Sequence, residues 1–97
     1  MATYISLLNF TDQGMRNLKE SPARLDAFRA MVESQGGTVK GAYWTLGTYD
    51  LVVIVEGGTD ESAMMSALTV GSLGNVRGQT LHGFTADEMK GLIGKIP

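Results

Sequence analysis

Runs of apolar residues and their spacing divide this chain into strands and helices. Four segments have the length and composition of β-strands, and these are Tyr4–Phe10, Thr38–Leu46, Asp50–Glu56 and Asn75–Phe84. Three further stretches carry apolar residues at helical spacing. Their inner faces are predicted to be Leu25, Phe28, Met31 and Val32, then Ala63, Met64, Ala67, Leu68 and Val70, then Met89, Leu92 and Ile93. The predicted order of elements is therefore β-α-β-β-α-β-α.

Polar caps and glycines predict where the helices begin and end. The predicted caps are Thr11 for a short helical turn through Lys19, Ser21 followed by Pro22 for the first long helix, Thr59 or Asp60 for the second, and Thr85 with Glu88 for the last. Glycines follow the two long helices, with Gly36-Gly37 after the first and Gly71 and Gly74 after the second. Such glycines end helices because they adopt positive φ without penalty.

The third strand contains five consecutive apolar residues, Leu51 to Val55, and four of them are β-branched. Side chains alternate along a strand, so Leu51, Val53 and Val55 lie on one face while Val52 and Ile54 lie on the other. Such a run is typical of a strand that is buried on both faces. A chain of 97 residues cannot easily cover both faces of its own sheet. We therefore expect a second copy of the chain to cover one of them.

The order of elements predicts the fold class. Two split βαβ units indicate an α+β, ferredoxin-like βαββαβ sandwich with an antiparallel sheet of order 4-1-3-2, followed by an extra C-terminal helix. Both sandwich helices then cover the same face of the sheet. Packing of the other face against a second sheet would give a dimeric α+β barrel. Residues 1–97 are predicted to form one domain.

Composition removes several classes of function. The net charge is −2 and the basic residues are scattered, which argues against nucleic-acid binding. No apolar run reaches the roughly 18 residues of a membrane helix, and the N-terminus has no basic segment of a signal peptide. The chain has no cysteine and one histidine, so we expect no metal site and no cofactor. We expect a cytoplasmic location.

Four motifs resemble those of the GYD domain family. They are Gly47-x-Tyr49-Asp50 before an apolar strand, Phe10-Thr11-Asp12-Gln13-Gly14, Ser21-Pro22-x-Arg24, and Gly71-Ser72-Leu73-Gly74-Asn75-Val76-Arg77 with Thr80-Leu81 after it. Two positions depart from similar sequences: Gly57-Gly58 stands where Ala-Pro is frequent, and His82 stands where arginine is frequent. The resemblance implies a small bacterial or archaeal protein with the α+β barrel fold and no settled activity.

The predicted sheet order brings four strand ends to one edge of the sheet. The residues collected there are Phe10, Thr11, Gln13, Trp44, Tyr49, Asp50, Asn75 and Arg77. One hypothesis is that Arg77, Asp50 and Asn75 orient a small polar or anionic ligand, with Tyr49 and Trp44 as walls. The alternative is structural. Asp50 then bonds its own turn and pairs with Arg77, and Asn75 takes a positive φ after Gly74.

The sequence leaves two classes of function open. The first is a homo-oligomeric module that binds a small molecule or serves in assembly. The alternative is a cofactor-independent, oxygenase- or isomerase-like enzyme for a small apolar or aromatic substrate. His82 is the single histidine and is expected beside Tyr4, at the sheet end opposite the candidate site, either as a general base or as an ordinary strand residue. No nucleophile–base pair is recognisable, which favours the first class.

Overall fold

A computed structural model describes residues 1–97 and shows an α+β fold with four strands and four helices. The strands are β1 (Thr3–Phe10), β2 (Gly37–Trp44), β3 (Leu51–Gly57) and β4 (Val76–Gly83), and the helices are α1 (Asp12–Arg16), α2 (Ser21–Ser34), α3 (Asp60–Ser72) and α4 (Ala86–Ile93). The predicted strands are confirmed, with ends that shift by one or two residues. The short helical turn that was predicted through Lys19 divides into α1 and a separate 3-10 turn, Leu18–Glu20.

The four strands form one antiparallel sheet of order β2-β3-β1-β4, which confirms the predicted order 4-1-3-2 read from the other edge. Tyr4 of β1 lies opposite Val55 of β3 and His82 of β4. At the other end of β1, Leu8 lies opposite Leu51 and Gly78. The ends of β1 and β2 therefore meet the starts of β3 and β4 at one sheet edge, as the topology predicted.

The buried core lies between α2 and the β2–β3 half of the sheet. Val32 of α2 packs there with Val39, Leu51 and Val53, and Val53 is only 2% exposed. Phe28 adds a half-buried ring to this cluster. The predicted inner face of α2 is thus confirmed at its centre, and the odd-numbered residues of the apolar run on β3 face the helices.

The N-terminus of α2 differs from the prediction by one residue. Glu20 is the cap, because the 3-10 turn continues directly into the helix, and Ser21 already has helical φ and ψ of −55° and −45°. Ser21 is buried, and its hydroxyl accepts a hydrogen bond of 3.0 Å from the indole nitrogen of Trp44. The serine therefore joins the helix to β2 and does not cap it.

The predicted inner face of α3 is partly wrong. Thr59 caps the helix as expected, and Ala63 and Val70 are half-buried. However, the helix buries Ser66, whose hydroxyl donates to Oε1 of Gln35 at 3.0 Å. The larger side chains of the predicted face are not packed into the core, since Met64 is 60% exposed and Leu68 is 65% exposed.

One face of the sheet is not covered by any helix of the chain. This uncovered face contains Ile5, Leu7, Val52 and Ile54, which are half-buried, together with the more exposed Tyr43 and Leu81. The prediction that this strand is buried on both faces is confirmed for one of them, which the chain's own helices bury. The other face is left to solvent in a single copy, and its burial by a second copy stays a prediction.

The last helix, α4, begins with the predicted capping box. Thr85 accepts from the backbone N–H of Glu88, and the Glu88 carboxylate accepts from the backbone N–H of Thr85 at 2.8 Å. The second of these bonds lowers the pKa of Glu88. The apolar side of α4 is exposed at Met89, Leu92 and Ile93. Neither this helix nor any other is both long and apolar enough to cross a membrane.

Candidate functional site

Three of the predicted site residues form a hydrogen-bonded frame at the sheet end. Gln13 of α1 donates through Nε2 to the side-chain oxygen of Asn75 at 3.0 Å and to the carbonyl of Leu73 at 2.9 Å. Thr11 donates to the carbonyl of Gly74 while its oxygen accepts from the backbone N–H of Gly14. These bonds fasten α1 to the loop that precedes β4. Only glycines have positive φ, so the expected positive φ of Asn75 is wrong.

Asp50 links the turn before β3 to the end of β1. Its Oδ2 accepts from the backbone N–H of Phe10 at 2.9 Å, and its own N–H donates to the carbonyl of Leu8 at 2.9 Å. Arg77 forms no ion pair with Asp50. Arg77 is an exposed residue opposite Asn9. Asp50 therefore has a structural role, but its hydrogen bonds go to the neighbouring strand β1. The expected ion pair between Asp50 and Arg77 is wrong.

The two predicted aromatic walls lie on different sides of the sheet. Trp44 bonds to Ser21 on the helix side. The Tyr49 hydroxyl accepts from Nε2 of Gln79 at 3.2 Å, and Gln79 lies opposite Leu7 on the uncovered face. The structure thus brings together Thr11, Gln13 and Asn75 and places Asp50 at the end of β1. Trp44, Tyr49 and Arg77 do not join this group. A ligand at this sheet end stays a prediction.

A cleft of about 800 Å³ opens between α2, α3 and the sheet. Phe28 and Met31 of α2 line one wall, Met64 of α3 lines the other, and Ser6 and Thr80 lie on its floor. The hydroxyls of Ser6 and Thr80 are 3.0 Å apart in a hydrogen bond. The sequence did not indicate this cleft, because Met31 and Met64 were interpreted as core residues that fill the space between helix and sheet.

A cluster of three polar side chains lies at one end of the cleft, where α3 begins. The Tyr4 hydroxyl donates to Oδ1 of Asp60 at 2.6 Å, and Nδ1 of His82 lies 3.2 Å from the same oxygen. The ring of His82 stacks on Phe84 with centroids 5.2 Å apart. The hydrogen bond to Asp60, burial and the Asp60 charge together raise the pKa of Tyr4 from 10.0 to about 12.

The position of His82 beside Tyr4 is confirmed, but Asp60 was missed. It was considered as an alternative to Thr59 for the cap of the second long helix. The available signal was the short connection Gly57-Gly58, which leaves β3 and places the start of α3 above the start of β1. Neighbours on adjacent strands can be predicted once the order of the strands in the sheet is known. A contact between a helix and a strand can be predicted only if the position of the helix over the sheet is also known.

Comparison with known proteins agrees with this architecture. A model of the GYD domain matches residues 4–93. A protein of Thermus thermophilus, named glutamine synthetase and cystathionine beta-lyase binding protein, is 32% identical over 83 residues, which cover 84% of this chain and 87% of the relative.

Solved structures support the same fold. FFRP-DM1 superposes with a TM-score of 0.60 at 22% identity and covers 87% of this chain and 100% of its own. The hypothetical protein PHS023 of Pyrococcus horikoshii gives a TM-score of 0.60 at 22% identity over 88% of this chain and 92% of its own. TTHA0845 of Thermus thermophilus gives a TM-score of 0.55 at 25% identity over 89% of this chain and 96% of its own. Since the domain match spans both the sheet and all the helices, this chain belongs to the GYD domain family.

Proposed function

We propose that the chain is a homo-oligomeric, protein-binding module in which two copies pack sheet against sheet as a dimeric α+β barrel. The observation that carries the proposal is the uncovered face of the sheet. Val52 and Ile54 lie at its centre on β3, and Ile5 and Leu7 lie beside them on β1. Contiguous apolar surface of this kind is uncommon on a monomer and is typical of an interface.

The dimensions of this face suit a dimer. Strands of about eight residues and a spacing of about 4.8 Å give a four-stranded face of roughly 500 Å² in projection. A stable interface buries about 800 Å² of accessible surface on each partner. The exposed apolar side of α4, with Met89, Leu92 and Ile93, provides further area. Together the sheet and α4 supply an interface of ordinary size.

A sheet-to-sheet dimer leaves the helix side free to bind other proteins. The outer side of α3 exposes Met65 and Leu68, each by more than half. Methionine is frequent on binding surfaces because its side chain adapts to different partners. The relative from Thermus thermophilus is named for its binding of two enzymes, which supports the same kind of role here. We therefore propose that α3 contacts a protein partner such as glutamine synthetase.

Binding of purified glutamine synthetase and cystathionine beta-lyase, from the organism that encodes this chain, tests the function. We expect saturable binding of at least one of them to the immobilised chain. Replacement of both Met65 and Leu68 by Glu should weaken that binding at least tenfold. Ala30→Glu is the matched control, because Ala30 is an exposed position on α2. Failure of both enzymes to bind a dimeric chain, or an equal loss in the control, contradicts the proposed partner role.

A further inference from the structure

We propose that the cleft between α2, α3 and the sheet binds a small hydrophobic amine, with the ammonium group held at Asp60. This inference concerns the helix side of the sheet and goes beyond the proposed function, which depends on the uncovered face and the outer side of α3. It depends on three observations: the size of the cleft, the uneven filling of the core, and the charge at one end.

The cleft occupies space that a close-packed domain would fill. Protein interiors contain few voids larger than a water molecule, and pockets for small ligands measure roughly 300–1,000 Å³. A cleft of about 800 Å³ falls within that range. The buried cluster of Val32, Val39, Leu51 and Val53 fills only the side beneath α2. The part of the sheet formed by β1 and β4 is therefore left open toward α3.

The walls of the cleft suit an apolar body. Phe28 and Met31 approach from α2, and Met64 and Ala67 from α3. Unbranched methionine side chains can close around molecules of different shape. An aliphatic or aromatic chain between these walls would cover the Ser6–Thr80 pair, whose hydroxyls already satisfy each other.

At the end of the cleft where α3 begins, the Asp60 carboxylate can accept hydrogen bonds from a positively charged head group. Asp60 Oδ1 accepts from Tyr4 and lies beside Nδ1 of His82, and its Oδ2 has no hydrogen-bond partner in the protein. The aspartate side chain is 80% exposed, so an incoming group can reach it. His82 is the only basic side chain that contacts this carboxylate. An ammonium group matches a carboxylate in charge and in hydrogen bonding.

The far end of the cleft does not provide an equivalent site for an acid. Arg24 lies there, and its Nη1 donates to the carbonyl of Asn17 at 3.0 Å, with a carboxylate oxygen of Glu20 at 3.8 Å. Its Nη2 has no partner, but that atom is shielded from solvent. Arg77 also borders the cleft, but it follows the buried Val76 on β4, so its side chain lies on the uncovered face of the sheet. The accessible charge inside the cleft is therefore negative.

Calorimetric titration with octylamine, octanol and octanoate tests the proposal, because these three probes share one apolar body and differ in the head group. We expect octylamine to bind at neutral pH at least fivefold more tightly than octanol, and octanoate to bind more weakly than both. Asp60→Asn should reduce octylamine affinity to that of octanol. Asp87→Asn is the matched control, since Asp87 is an equivalent first-turn aspartate on α4.

A second variant locates the binding. Ala67→Phe places a ring between the walls and should weaken octylamine and octanol alike by at least tenfold, while a thermal melt reports whether the chain remains folded. Octanoate binding as tightly as octylamine, an unchanged affinity in Asp60→Asn, or full binding by folded Ala67→Phe overturns the proposal. Size-exclusion chromatography of the same samples reports separately whether the sheet-to-sheet dimer forms, so a failure of amine binding can be distinguished from a failure of the proposed dimer.

Discussion

The Tyr4 hydroxyl donates a hydrogen bond of 2.6 Å to Oδ1 of Asp60, and it thereby joins a buried strand residue to the exposed first turn of α3. Two further polar contacts connect α3 to the rest of the chain: Nδ1 of His82 lies 3.2 Å from the same oxygen of Asp60, and the Ser66 hydroxyl donates to Gln35. The position of α3, and with it the width of the cleft, depends on these three contacts.

The hydrogen bond predicts an unusual titration of Tyr4. Asp60 raises its pKa from 10.0 to about 12, so Tyr4 should ionise later than an ordinary tyrosine. A raised pKa in the folded state contributes stability that is complete below pH 10 and is lost as the pH rises through about 12. The tyrosinate absorbance that Tyr4→Phe removes from the folded protein should therefore develop near pH 12. In Asp60→Asn it should develop at lower pH, whereas in Asp87→Asn it should not move. A midpoint near pH 10 in the folded wild type would refute this.

Gly14 is predicted to be intolerant of any side chain. It is buried in α1, and a Cβ there would lie 2.0 Å from the carbonyl oxygen of Asn75, which also accepts from the N–H of Thr11. Gly14→Ala should therefore destabilise the chain by about 2 kcal/mol. Gly71→Ala is the control, because a Cβ there meets nothing within 4 Å and α3 gains helix propensity of roughly 0.5–1 kcal/mol. Chemical denaturation of both variants measures the difference, and equal stabilities would contradict the packing of α1 on the loop before β4.

Asp50 is predicted to act through the backbone of Phe10. Asp50→Ala leaves the partly buried N–H of Phe10 without its acceptor and should cost about 1–3 kcal/mol of unfolding free energy. Asp50→Asn keeps a side-chain oxygen at the same place and should recover most of that loss. Urea denaturation compares the three proteins. If Asp50→Ala is as stable as the wild type, the aspartate has a role other than holding this turn.

The sheet was predictable from the sequence because each strand carries a local signal. The apolar run on β3 and the glycines on either side of it indicate where this strand begins and ends. The order of the strands in the sheet then follows from the handedness of the crossovers. The neighbours Tyr4 and His82 could be predicted for the same reason. The burial of Ser66 in α3 could not, since it depends on the distant amide of Gln35. Met64 and Leu68 fit a helical stripe equally well whether they face inward or outward.

The candidate site at the sheet end was likewise predictable in part: its strand ends could be placed from the sequence, but the faces taken by its side chains could not. Topology correctly placed Thr11, Asp50 and Asn75 at one edge. Which face of the sheet each aromatic side chain takes depends on a single residue of register and on partners such as Ser21 for Trp44 and Gln79 for Tyr49. Those partners come from other segments, and no local pattern indicates them.

The two sides of β3 should respond differently to charge. Val53 faces the helices and is 2% exposed, so Val53→Asp buries an unpaired carboxylate and should unfold the chain, at a cost of more than about 4 kcal/mol. Ile54 lies on the uncovered face, so Ile54→Asp should dissociate the oligomer and leave a folded monomer. Circular dichroism with sedimentation velocity distinguishes the two results. An Ile54→Asp protein with the wild-type mass would show that this face is not an interface.

Light scattering on the wild-type chain at micromolar concentration is the most direct test of sheet-to-sheet assembly. One copy has a mass of 10.4 kDa. We predict a particle with twice that mass or a larger whole multiple. A folded, stable particle with the mass of a single copy would contradict the assembly, because Ile5, Leu7, Val52 and Ile54 would then remain in water.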